Sequence, residues 1–261
     1  MYVCNMSKRD IVVLMKAKWR AQKYFKRESD MRNCNFVKTF MSLVFTGVAV
    51  FATPSTQIWN PSTDIQAVNS FHLGIDNYFS VENNSNKPYA FGTDLGLTYG
   101  LLSNLEIGFD IVDPAANPLY FNVKYGFAES GFIPAVAAGV FNAGTQKDVT
   151  DYNIIYIVTA KTVDTAGRFS LGYYYGNDRL LITETGEKAN TGLILSWDKT
   201  ISEKVWLSID YASGASFYGS FSFGGSYSFA PNTSIIFGFV IFNNRSLNSN
   251  NTFTTQLDIN L

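Results

Sequence analysis

Apolar and polar residues alternate over the last ten positions of the chain, 252–261. Phe253, Leu257, Ile259 and Leu261 share one parity, whereas the other parity is polar throughout. This two-residue period predicts a strand with one apolar and one polar face. Because it ends the chain, the strand must lie at a sheet edge or close the sheet on itself.

The same period recurs upstream in runs of about ten residues, the length that a tilted membrane strand requires. The predicted strands are 69–81, 91–100, 104–113, 118–127, 133–142, 151–161, 168–177, 189–198, 204–212, 216–229, 233–243 and 252–261. The fifth and eleventh runs are ambiguous. The pattern predicts an all-β fold, a closed antiparallel up-and-down transmembrane β-barrel of about 12 strands over residues 69–261.

The connections between these runs alternate in length. Short connections lie at 101–103, 128–132, 162–167, 199–203 and 230–232, and longer polar ones at 82–90, 144–150, 178–188 and 244–251. The tight link 213–215 is an exception. Outer-membrane barrels have short periplasmic turns and long outer loops, and an even strand count places both termini in the periplasm.

A soluble exported sandwich would also alternate, so the direction of the apolar face must be argued. The non-apolar face is rich in Gly, Ser, Thr and Asn rather than Lys and Glu, which suits a crowded lumen better than a solvated outer face. Several aromatic residues, including Tyr78 and Tyr173–Tyr175, lie near strand ends and are expected at membrane interfaces. A mean hydropathy of +0.01 is low for a helical membrane protein.

The first 52 residues differ in character from the rest. Residues 31–52 resemble a secretory signal peptide cleaved after Ala52, and residues 1–30 form a basic leader that is non-native if translation starts at Met31. A retained signal anchor or a buried helix is the alternative. Removing residues 1–52 takes both cysteines and leaves 10 basic against 18 acidic residues, a net charge of −8. An acidic product without cysteine argues against a disulfide scaffold and against nucleic-acid binding. Residues 53–68, with Pro54 and Pro61, are expected to be an irregular arm that hangs from the barrel or enters its lumen around Trp59.

Residues 31–261 resemble bacterial outer-membrane β-barrel proteins. Three short sequence segments are similar to those of a poorly characterised porin-like group: TPSTQIW (53–59), DNYF (76–79) and SWDKT (196–200). The resemblance implies location in the cell outer membrane, with membrane lipid and the barrel-assembly machinery as partners. Those barrels usually end in an aromatic residue, whereas this chain ends in Leu261. The resemblance implies no activity, cofactor or solute.

The charged residues at inward-facing strand positions indicate which kind of solute the lumen could pass. The expected pore-lining residues are His72, Asp76, Asp94, Glu106, Asp110, Lys124, Lys161, Arg168, Asp198, Asp210 and Asp258. Because acids outnumber bases in this set, we expect a small monomeric channel for ions or small polar solutes with a mild cation preference. The alternative is that these charges pair locally.

The sequence is compatible with two other functions. A non-conducting barrel could bind a partner through its outer loops, above all 178–188. An enzyme is disfavoured because His72 is the only histidine and no serine is marked as its nucleophile. No metal or cofactor motif is present, since no loop has calcium-ligand spacing and the glycines lie in strand patterns.

Overall fold

The computed structural model describes residues 55–81, 90–112, 119–248 and 250–261. The predicted leader 1–30 and signal peptide 31–52 lie outside these residues. Within the described ranges no helix is long and apolar enough to cross a bilayer.

Twelve strands form one closed antiparallel barrel in which each strand pairs with its neighbours along the chain. The strands are β1 (Phe71–Ser80), β2 (Ala90–Leu102), β3 (Leu105–Val112), β4 (Leu119–Phe127), β5 (Ala135–Gly144), β6 (Asp151–Val163), β7 (Gly167–Tyr175), β8 (Thr191–Ser202), β9 (Val205–Ala212), β10 (Ser220–Ala230), β11 (Thr233–Phe242) and β12 (Thr252–Asn260). The predicted 12-stranded barrel is confirmed. Two boundaries differ by four residues. β8 ends at Ser202 rather than 198, and β10 begins at Ser220 rather than 216, where Gly219 N–H turns back to donate to the Ser216 carbonyl at 3.2 Å.

The barrel closes between its first and last strands. The β1–β12 register pairs Leu73 with Ile259, and the closure ends in two reciprocal backbone hydrogen bonds between Phe71 and Leu261, of 2.9 and 2.8 Å. Because every strand has two partners, no edge is left to pair with another chain.

The barrel exposes its apolar side chains and buries its charged ones. On β8 the Leu195 side chain is 43% exposed and the neighbouring Ser196 is 7% exposed, while on β9 Leu207 is 39% exposed and Asp210 is 1% exposed. Soluble proteins have the opposite arrangement. The predicted outward direction of the apolar face is therefore confirmed, and a soluble sandwich is excluded.

Two aromatic residues expected at the membrane interfaces have side chains that lie inside the barrel. Tyr174 is fully buried and donates a hydrogen bond to the Ser213 carbonyl at 2.5 Å, and Tyr78 contacts Trp59 in the lumen. Both occupy even positions on strands whose even positions face inward, so proximity to a strand end was a poorer guide than parity.

Part of the interior is apolar. Side chains from β5 to β9 form a cluster, and Leu181, from the 176–190 loop between β7 and β8, packs into it. This loop is held in place by the Ile182–Lys188 bridge, by an ion pair between Lys188 and Asp178, and by Arg179 and Asp148, whose Nη1 and Oδ2 atoms lie 2.6 Å apart.

Candidate functional site

Residues 55–68, here called the luminal arm, lie inside the barrel. The segment 55–62 folds back on itself: Ser62 N–H donates to the Ser55 carbonyl at 3.1 Å, and Gln57 N–H donates to the Asn60 carbonyl at 2.7 Å. Residues 57–60, the arm tip, are almost entirely screened from solvent except for Trp59. Of the two arrangements considered from the sequence, the structure has the one inside the lumen.

One carboxylate on β9 binds three groups of the arm tip. Asp210 Oδ2 accepts the backbone N–H of Ile58 at 2.8 Å and that of Trp59 at 3.1 Å, and Oδ1 accepts the Asn60 amide at 3.4 Å. Hydrogen bonds to an ionised acceptor are stronger than neutral ones. Asp210 is therefore the principal anchor of the tip.

The barrel wall also leaves space for the tip. Gly224 on β10 and Gly238 on β11 lie opposite each other, and a Cβ atom on Gly224 would lie 2.6 Å from Ile58 Cδ1. Only glycine lets the Ile58 side chain approach this closely. Ile58 then packs against the inner faces of Ile236 and Val240.

A second polar group binds the arm near the end of the barrel that carries the short connections, here called the turn end. Arg168 binds Asp64 with two hydrogen bonds of 2.6 and 2.8 Å, and its Nε donates to Asp198 at 2.9 Å. Asp198 also accepts the Gln57 amide at 3.2 Å, and Gln57 Oε1 accepts from Ser208 at 2.8 Å. The bidentate pairing of Arg168 with Asp64 fixes both the position and the orientation of this part of the arm.

A third group lies on β3 and β4. Glu106 accepts from Ser55 Oγ at 2.7 Å and from Gln66 N–H at 2.6 Å. Lys124 pairs with Glu106 at 3.1 Å and donates to the Ser55 carbonyl at 3.1 Å. Both ends of the segment 55–66 are thus held by the same buried ion pair.

Between the arm and the wall from β1 to β6 lies a cavity of about 450 Å³. Its charged lining residues are Asp76, Asp94, Glu106, Asp110 and Lys124, together with His72. The arm therefore narrows the lumen without filling it.

Three of these carboxylates lie close together. Asp76 is directly opposite Asp94 in the β1–β2 register, and Asp110 of β3 lies over Gly96, two residues further along β2. Asn122 donates to Asp110 at 2.5 Å. Among the described residues, no cation pairs with Asp76, Asp94 or Asp110.

His72 is not arranged as the histidine of a catalytic triad. Its Nε2 lies 3.3 Å from Asp258 Oδ1 and its Nδ1 lies 3.3 Å from Asn260 Oδ1. Ser234 hydrogen-bonds to Asp258 at 3.4 Å. A catalytic triad needs the histidine between the serine and the carboxylate, whereas here the carboxylate lies between the other two.

Lys161 lies elsewhere. On β6 the even positions face inward, so Lys161 is on the outward parity, at the turn end. Its Nζ pairs with Glu129 Oε1 at 2.6 Å and donates to the Gly131 carbonyl at 2.5 Å. Hydrogen bonds from Lys161 and from the Thr162 N–H lower the pKa of Glu129 to about 2.

The sequence-predicted residues thus separate into groups. His72, Asp76, Asp94, Glu106, Asp110 and Lys124 line the cavity; Trp59, Arg168, Asp198 and Asp210 belong to the arm and its anchors; Asp258 supports His72; Lys161 is apart from both. Sequence reasoning missed the amides Gln57, Asn60 and Gln256, the last of which donates to the Ile58 carbonyl at 2.9 Å. For Gln57 and Asn60, the available signal is the presence of two amides near Trp59 in a segment bounded by prolines.

No protein-family model matches the chain, and no curated protein matches it. Among solved structures, it is similar to an outer membrane channel from Pseudomonas putida F1 (11% identity, 75% of this chain and 95% of that chain, TM-score 0.37) and to the KdgM porin (10% identity, 72% and 98%, TM-score 0.47). It is also similar to a triple mutant of a Rhodopseudomonas blastica porin (14% identity, 65% and 55%, TM-score 0.37). The solved structures that it resembles are thus bacterial outer-membrane channels and porins.

Proposed function

We propose that this protein is an outer-membrane β-barrel that acts as a small passive channel for ions or small polar solutes. The observation that carries the proposal is the inverted barrel, with apolar side chains around its outside and buried carboxylates within. An apolar outer surface is stable only in lipid, and a charged interior suits a polar solute.

The dimensions agree with this role. The strands contain 8 to 13 residues, close to the roughly ten that a tilted membrane strand requires. Twelve strands lie between the eight that leave a filled interior and the sixteen that leave an aqueous channel. The arm reduces this intermediate bore further, so we propose that only small solutes pass.

The charges in the lumen support a preference for cations. Carboxylates inside the barrel outnumber the permanent cations there. Lys161, which was expected inside, lies on the outer face, and Asp64 of the arm adds a further carboxylate inside. A pore wall of negative charge attracts cations and repels anions.

We propose a monomer with both termini in the periplasm, embedded in outer-membrane lipid and delivered by the barrel-assembly machinery. The short turns lie at the end of the barrel where β1 begins and β12 ends, which supports this orientation. We propose no catalytic role, since His72 faces no nucleophile among the described residues.

A second candidate is a surface barrel that binds a partner through its loops. The ordered 176–190 loop, anchored by Leu181 and tied to Asp148, could present a rigid surface. It ranks below the channel because it leaves the luminal cavity without a role.

Reconstitution into planar bilayers tests the proposal. We expect discrete current steps with a cation-selective reversal potential in a KCl gradient, because the lumen is acidic. If neither the native chain nor a chain lacking residues 55–66 gives steps, the channel proposal is contradicted and the loop-binding barrel is favoured.

A further inference from the structure

The lumen brings carboxylates without partners and aromatic rings to one cavity. Asp76 Oδ1 and Asp94 Oδ1 are screened from solvent and have no hydrogen-bond partner among the described residues. Side chains directly opposite each other on antiparallel strands have Cβ atoms about 5 Å apart. Two carboxylates this close cannot both be ionised without a large cost in a poorly solvated interior, and a bound cation would remove that cost.

Aromatic rings lie on both sides of these carboxylates. Tyr78 follows Asp76 on the same inward face of β1, and Tyr120 is directly opposite Asp110 in the β3–β4 register. The Tyr78 ring meets Trp59 edge to face, with centroids 5.7 Å apart. Aromatic faces attract cations, most strongly where water is excluded.

The remaining lining is also suited to an organic molecule. Phe141, Tyr156, Phe217 and Phe242 contribute rings to the cavity. Thr252 is fully buried and also lines it, and its Oγ1 has no hydrogen-bond partner within the described part of the chain. A hydroxyl group that is buried without a partner is energetically costly, and a polar group on a ligand would remove that cost.

The chemistry favours an organic cation over a metal ion. In the described ranges, no group of three or more acidic, histidine or cysteine side chains is arranged to hold a metal. A cavity of about 450 Å³ has room for a small organic molecule. Methylated ammonium groups are matched by aromatic faces, which cannot compete with water for a small hard ion.

We propose that the luminal cavity binds a small organic ammonium ion, with the Asp76, Asp94 and Asp110 carboxylates opposite its charge and the Tyr78 and Tyr120 rings around its methyl groups. This inference rests on the proposed channel and names the class of solute that it would take.

Calorimetric titration of the purified, folded full chain tests this site. The probes are choline and dimethylbutanol, in which a carbon replaces the quaternary nitrogen. We expect choline to bind and dimethylbutanol not to bind. Asp94→Asn should weaken choline binding by about tenfold or more, and Tyr78→Leu severalfold. Asp178→Asn, which changes an exposed loop carboxylate, should leave it unchanged.

Three results would overturn the site: no binding of choline to the folded native chain, equal binding of both probes, or choline binding that survives both Asp94→Asn and Asp76→Asn in barrels that still migrate as folded species in gels. The outcome is separable from that of the channel proposal. Conductance without choline binding refutes this inference alone, whereas choline binding without conductance refutes the channel and leaves the site standing.

Discussion

Deleting residues 55–66 should raise the single-channel conductance of the reconstituted barrel severalfold. The deleted segment contains the arm tip, and it occupies space that the twelve strands enclose. The barrel should still form, because its closure depends on β1 and β12, which the deletion leaves intact. Planar-bilayer recordings of the native and deleted chains make the comparison.

A matched control replaces residues 55–66 with a Gly and Ser sequence of the same length. It removes the anchoring side chains but keeps the length, so we expect larger and noisier currents than in the native chain. If the deletion leaves conductance at the native value, the arm is not the obstruction that its position indicates.

The second large effect is expected from Asp210→Ala, which should release the arm tip while leaving the barrel closed. The substitution leaves the backbone N–H groups of Ile58 and Trp59 without their acceptor. Hydrogen bonds to a charged group contribute about 1.5–3 kcal/mol each, so the loss should be about 3–6 kcal/mol. Hydrogen exchange at these two amides should accelerate by about two to four orders of magnitude.

The control for this variant is Asp178→Ala, which breaks an exposed ion pair with Lys188. Exposed pairs contribute little, so exchange of the arm should not change. Exchange of strand amides such as those of β12 should remain slow in both variants. Unchanged protection at Ile58 and Trp59 in Asp210→Ala would show that the carboxylate does not anchor the tip.

The strands could be predicted from the sequence wherever one face meets lipid and the other meets a polar lumen. β3 and β12 have this arrangement, and their alternation is clear. β11 was ambiguous because its inner face carries Ile236, Val240 and Phe242, which pack against Ile58 of the arm. An inner face that contacts protein rather than water loses the polar parity from which it could be recognised.

The anchors of the arm could not be predicted individually. Asp210 and Asp198 were recognisable as inward charges, but the groups that they bind lie about 150 residues away in sequence. Those groups include backbone N–H donors, which every non-proline residue has and no sequence pattern marks. Lys161 follows the alternation of β6, whose odd positions face outward, and at the turn end it pairs with Glu129 and donates to the Gly131 carbonyl.

The central claim is that the perimeter of the barrel faces lipid and its centre is polar. It is tested most directly by a fluorescent probe on single cysteines, in a chain whose Cys4 and Cys34 are replaced by serine. Leu95 is on the outer face of β2 and is 38% exposed, whereas Thr98 of the same strand lines the cavity. In reconstituted vesicles, brominated lipids should quench the probe on Leu95→Cys and leave the probe on Thr98→Cys bright. Quenching at Thr98→Cys with none at Leu95→Cys would contradict the claim.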